Sequence, residues 1–196
     1  MDATLRTFLA VDLPPGAKAA LASLIARLKS AGLNSVRWVN LDTIHLTLKF
    51  MPETRPSDVE RILTASKQAL RSTQPFPLFL TRLGAFPNLR SPRVLWVGVE
   101  GDLPTLQHTQ STLESHVSPL GYPSDPRGFN PHITIGRLRD SIPPQSRSLI
   151  EPLIESEPSL GNLSWTAKEL IYIHSTLTPQ GPIYRTLGSI PLNLSS

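Results

Sequence analysis

The chain has 196 residues, of which 39% are apolar and 17% charged, and it contains no cysteine. That length suits one medium domain or two small lobes sharing a core, and the apolar share suits a packed globular protein rather than a disordered one. The missing thiols exclude a disulfide scaffold, a cysteine nucleophile, cysteine-ligated zinc and iron–sulfur chemistry. Formal net charge is +4, and 14 of the 19 basic residues are arginine, whose planar fork suits phosphate and carboxylate. No apolar run approaches the ~18 residues of a membrane span. Met1-Asp2-Ala3-Thr4-Leu5-Arg6 lacks the form of a signal peptide, so a soluble cytoplasmic protein is expected.

In chain order, residues 7–11 read as a strand. Ala17, Ala20, Leu21, Leu24, Ile25 and Leu28 then recur on one helical face, between Pro14-Pro15 at the start and Gly32 past the end. A strand over 44–50 follows. Ser57-Asp58-Val59-Glu60 reads as a capping box for a second helix carrying Val59, Ile62, Leu63, Ala69 and Leu70 on one face. Strands are expected over 76–83 and 93–99, with Leu89-Arg90-Ser91-Pro92 as a surface loop between them. Leu103, Leu106, Leu113 and Val117 mark a third helix, and 132–137 a further strand. Near 144–156 a helical pattern conflicts with Pro152, which removes a helical hydrogen bond. Strands over 163–173 and 183–187 complete the set.

The two halves share a plan. Phe8 precedes His45 by 37 residues, and Trp96 precedes His132 by 36. Each interval holds a strand, a helix, a polar loop and a second strand. A period near 87 residues is too long for a solenoid and implies duplication. The expected organisation is a single domain, 1–196, made of two pseudo-symmetric lobes of about 1–88 and 89–196. No flexible linker separates them, so they pack as one body.

The second strand of each half carries the same tetrad, His45-Leu46-Thr47-Leu48 and His132-Ile133-Thr134-Ile135. Residues i and i+2 share a strand face, so His and Thr point one way and the apolar pair the other. A pseudo-two-fold brings both polar pairs to one cleft. An imidazole titrates near pH 6.5, so one ring can accept a proton while the other donates. In-line displacement at phosphorus needs that arrangement, a base beside the attacking oxygen and an acid beside the leaving one. The Thr47 and Thr134 hydroxyls are suited to non-bridging phosphate oxygens. A cyclic phosphate is a plausible target, because ring opening keeps the leaving oxygen in the product. The near symmetry of the repeat leaves donor and acceptor unassigned.

These tetrads resemble the 2H phosphoesterase superfamily, and within it the RNA 2′,3′-cyclic phosphodiesterases, also called the 2′-5′ RNA ligase family. Arg6 through Pro14, Trp38-Val39, Gly84-Ala85-Phe86-Pro87, Arg93 through Val99, Phe129 through Arg137 and Gly181-Pro182-Ile183-Tyr184 are similar to the family in the same order. The resemblance implies an α+β, bilobal duplicated fold, with two antiparallel-type sheets flanking a central cleft and helices on the outer faces. It implies hydrolysis of 2′,3′-cyclic phosphodiester ends of RNA or small nucleotides to a 2′-phosphate. His45 then matches the proton donor and His132 the proton acceptor. Met51-Pro52-Glu53 departs from the usual Leu-Gly-Glu, and Ile135 stands where Leu is common.

Arg137 lies five positions past His132, so strict alternation turns it away; a bulge at Gly136 would redirect it to phosphate. Lys49, four past His45, falls on the His45 face. Phe8 reads as a core residue or a base-stacking one, Tyr184 as packing, and Arg6 shares Phe8's alternation with its role open. His108, His116 and His174 read as surface or structural. No Asp or Glu sits beside either tetrad, so no metal site is expected. Gly-x-Ser-x-Gly and phosphate-cradling Gly-rich loops are missing, and no cofactor is expected. Two rivals use the same groove, reversible 2′-5′ RNA ligation and a non-catalytic nucleotide- or RNA-binding module. The expected partners are RNA ends or small cyclic nucleotides, with no membrane and a monomeric state.

Overall fold

A computed structural model of the chain describes residues 3–138, 144–161 and 163–192. The elements run β1 (Leu5–Asp12), α1 (Pro15–Ser30), β2 (Val36–Trp38), β3 (His45–Thr54), α2 (Val59–Ala69), β4 (Phe76–Phe86), β5 (Val94–Gly101), α3 (Leu103–Val117), β6 (His132–Leu138), α4 (Pro144–Ser156), β7 (Ser164–Ala167), β8 (Glu169–Thr178) and β9 (Gly181–Pro191). They form an α+β fold of two antiparallel sheets, ordered β3-β1-β8-β9 and β2-β6-β5-β4-β7. In topology β3, β1, β8 and β9 of the first sheet correspond to β6, β5, β4 and β7 of the second. The sheets do not divide at one point in the chain. β4, from the first half, pairs with β5 through a hairpin across 87–93, and β8 and β9 return to pair with β1.

Helices cover the outer faces in mixed pairs. α2 and α3 pack on each other and reach β9 and β3 of the first sheet. α1 lies beside α4, with Arg27 Nη2 2.8 Å from Glu157 Oε2, and α4 reaches β4 of the second sheet. The apolar stripe of α1 (Ala17, Leu21, Leu24, Ile25, Leu28) enters one continuous core with residues of both sheets. Among the described residues no helix is long and apolar enough to cross a membrane.

Several sequence expectations need correction. α4 continues through Pro152. Loss of one hydrogen bond and ring crowding cost about 3 kcal/mol, but Ile150 and Ile154 are both buried, and each recovers roughly 1.5–3 kcal/mol. Ser57 does not cap α2; it lies in a 3₁₀ turn (Pro56–Asp58) that leads into the helix. Residues 163–173 are not one strand. The chain breaks at Lys168, sending β7 to the second sheet and β8 to the first. β2 is too short to show a two-residue alternation in the sequence; its pairing with β6 supplies the order. The repeat is also offset by two residues from the sequence reading. Asp12 faces His45 and Gly98 faces His132, so the counterpart of Trp96 is Ala10 rather than Phe8.

Both tetrad strands bulge at the same place. β1 pairs Ala10 with Thr47 but Leu9 with Lys49, leaving Leu48 as the extra residue. β5 pairs Trp96 with Thr134 but Leu95 with Gly136, leaving Ile135 extra. The fourth tetrad residue is thus the bulge in each copy, and it reverses the alternation beyond it. Arg137 therefore returns to the face of His132 and Thr134. Lys49 turns the other way, into the helix layer, and Phe50 takes the face of His45.

Candidate active site

The first sheet builds one wall of the groove. His45 opens β3, one residue after a 3₁₀ turn (Leu41–Thr43), and its Nδ1–H donates to the Thr43 carbonyl at 2.8 Å. A carbonyl only accepts, so this bond sets the tautomer and leaves Nε2 as the available ring nitrogen. Phe8 of β1 stacks on the imidazole at 4.3 Å and 13°, and Tyr184 of β9 meets it edge-on at 5.6 Å. Phe8 is itself only 4% exposed, so its ring is a support for His45 and not a platform open to a base.

The second wall repeats the device. His132 Nδ1–H donates to the Asn130 carbonyl at 2.7 Å, again two residues back, and again Nε2 is left available. Phe86 of β4 and Trp96 of β5 meet that ring edge-on at 4.9 and 6.2 Å. The indole lies over Gly84, where a Cβ would stand 2.4 Å from the ring, so only glycine admits it. The sequence marks neither carbonyl; it marks Trp96 as a repeat position and within a stretch similar to the family, and Phe86 only within such a stretch. Backbone acceptors carry no residue signature, and aromatic supports look like core.

The walls meet because β3 and β6 are in contact. The charge of Arg137 acts on both His132 and Tyr184, and Arg6 acts on Tyr184, which ties the residues of the two sheets into one neighbourhood. Thr47 and Thr134 are half-buried, and among the described residues neither hydroxyl has a hydrogen-bond partner. Arg137 is exposed and in no ion pair among them. Lys49 leaves the group: its ammonium is buried against Glu114 and the Pro123 carbonyl. His108 and His116 are exposed on α3, and His174 lies opposite Thr7 in the β1–β8 ladder, away from the groove. Among the described residues no three His, Asp or Glu side chains are placed to hold a metal ion.

Two sheets joined along strands that each present a His-x-Thr pair define the architecture of a 2H phosphoesterase. The chain matches the 2′-5′ RNA ligase superfamily over residues 13–176 and belongs to it. It is 34% identical over 179 residues to an RNA 2′,3′-cyclic phosphodiesterase of Methanothermobacter thermautotrophicus, covering 91% of this chain and 94% of that one. It is 33% identical over 186 residues to one of Thermotoga maritima, covering 93% of each. Among solved structures, it is similar to LigT of E. coli complexed with 3′-AMP, with TM-score 0.74, 25% identity and coverage of 97% and 99%. A protein of Thermus thermophilus superposes with TM-score 0.79 at 28% identity, covering 96% and 98%.

Burial pushes both imidazoles below their usual value of 6.5. At His45 the Thr43 bond and the Asp12 carboxylate resist that shift, while Lys18 adds to it. At His132 the Asn130 bond resists it, while Arg137 and Arg127 add to it. A rate that needs one ring neutral and the other protonated peaks between the two pKa values. Both are lowered, so the maximum of kcat/KM is expected below pH 6.5. A pH profile of kcat/KM checks this, and a maximum at pH 7 or above contradicts it. Bound phosphate favours the imidazolium, so the kcat profile is expected to lie at higher pH than that of kcat/KM.

Proposed function

We propose that the protein hydrolyses 2′,3′-cyclic phosphodiester ends of RNA or small nucleotides to 2′-phosphomonoesters, without a metal. The observation that carries this reading is the matched pair of imidazoles. Each is fixed through Nδ1 to a carbonyl two residues back, and each presents Nε2 from strands that touch. His132 Nε2 takes a proton from water as the water oxygen bonds to phosphorus. The bond from phosphorus to O3′ breaks, and His45 Nε2–H protonates that oxygen. The 2′-ester remains. Thr47, Thr134 and Arg137 hold the non-bridging oxygens as charge builds on them.

This order of roles follows the family resemblance, and the charges around the two rings differ. Burial disfavours an imidazolium at His45, with Asp12 opposing that effect and Lys18 adding to it. Burial disfavours one at His132 as well, and there Arg137 and Arg127 both add to the effect. The repeat is symmetric in its tetrads and asymmetric in these charges.

The test is phosphorus NMR of adenosine 2′,3′-cyclic phosphate incubated with the protein in EDTA. The cyclic resonance is expected to give way to that of the 2′-phosphate. A bound but unchanged cyclic nucleotide would favour a binding module, and a 3′-phosphate product would reverse the placement of the two histidines.

A further inference from the structure

Beyond the histidines the groove holds a second cation that the reaction above does not use. Arg6 lies on β1, on the face of Phe8, and its guanidinium carbon stands 4.3 Å from the centroid of the Phe50 ring. A cation over an aromatic face is held there by the ring's quadrupole. Phe50 is 42% exposed and lies five residues after His45, the position that Arg137 holds after His132. The bulges at Leu48 and Ile135 bring both positions to the groove face. Each sheet therefore sets one guanidinium beyond its tetrad, Arg137 from the post-bulge position itself and Arg6, two residues further along than the Phe8–Phe50 pair, by lying on Phe50.

Among the described residues nothing acidic answers these charges: neither Arg6 nor Arg137 makes an ion pair there, and Arg137 acts on Arg6 as a like charge. The neighbouring polar group is the Tyr184 phenol. A cyclic phosphodiester carries one negative charge, already matched by Arg137 and a protonated His45. Arg6 is also displaced from the reacting level. Its Cα stands four residues along β1 from Ala10, which faces Thr47, a backbone rise of about 13 Å at ~3.3 Å per residue. Its guanidinium rests on Phe50 and not on the tetrad.

We infer that Arg6 binds a second phosphate, the one on the 5′ side of the nucleotide that bears the cyclic end. The groove then selects RNA ends and 5′-phosphorylated nucleotides over plain nucleoside 2′,3′-cyclic phosphates. This subsite rests on the proposed cyclic phosphodiesterase reading, which fixes where the terminal nucleotide lies. A guanidinium–phosphate contact is charge-assisted and is expected to give about a ten- to hundredfold preference.

Calorimetry with adenosine 2′-phosphate and adenosine 2′,5′-bisphosphate tests the subsite without turnover. The protein is expected to prefer the bisphosphate by that factor, and Arg6→Met to bring the ratio within about threefold. Arg6→Lys, which keeps a charge without the fork, is expected to fall between them. No preference in the unaltered protein, or one that persists in Arg6→Met, overturns the inference. So does an equal loss for both ligands, which would place Arg6 at the reacting phosphate. The kcat/KM ratio for adenosine 2′,3′-cyclic phosphate with and without a 5′-phosphate is expected to change in parallel. A binding preference that vanishes in Arg6→Met, found without any turnover, supports the subsite and overturns the hydrolytic reading alone.

Discussion

Alanine at His45 or at His132 is expected to lower kcat by about 10²–10⁴-fold in each case, the contribution of one general acid or base. The double variant is expected to lose far less than the product of the two single losses. Once either proton transfer is missing, the other contributes little to the same transition state. Neither substitution is expected to disrupt the fold, because each ring's hydrogen bond goes to a single carbonyl, at Thr43 or Asn130, where water can replace it. Steady-state kinetics with adenosine 2′,3′-cyclic phosphate, alongside thermal unfolding, separate the two effects. A large loss in only one of the single variants would remove the paired mechanism. Equal melting with unequal kinetics would leave one histidine catalytic and the other a support.

The tetrads were legible because they occur twice at a fixed distance, and His45, Thr47, His132 and Thr134 all lie on the faces that alternation assigns. What lies beyond them was not legible, because a bulge is a choice between two pairings that local sequence hardly distinguishes. Gly136 suggested the right outcome for Arg137 at a position one residue late; the extra residue is Ile135. In β3 no glycine signals the bulge, and strict alternation put Lys49 in the groove. The bulge at Leu48 exchanges it for Phe50, and only that exchange brings Arg6 into view. Tyr184 reads as packing in the sequence for a related reason. Its position beside His45 depends on β8 and β9 returning to the first sheet, a long-range pairing that no local pattern encodes.

The fate of Lys49 gives the second large expected effect. Its side chain is 1% exposed and that of Glu114 is 15% exposed. Lys49 Nζ also donates to the Pro123 carbonyl at 3.3 Å, while Glu114 accepts from Ser118 and Ser124 at 3.2 and 2.8 Å. β3, α3 and the loop leading to His132 are thereby joined at one buried charge pair. Removing one partner leaves the other charged and buried, which typically costs about 3–5 kcal/mol. Lys49→Met keeps the length of the stem and is expected to destabilise by about 3 kcal/mol, the low end of that range, because the serines still solvate Glu114. Adding Glu114→Gln removes the stranded charge and is expected to restore part of that loss, a coupling that a double-mutant cycle in urea measures. A Lys49 in the groove would behave in the opposite way. Its loss would change stability by no more than ~0.5 kcal/mol, as for an ordinary surface site, and would act on substrate binding instead. Unfolding midpoint and KM, measured on the same variant, therefore distinguish the bulged strand from the regular one.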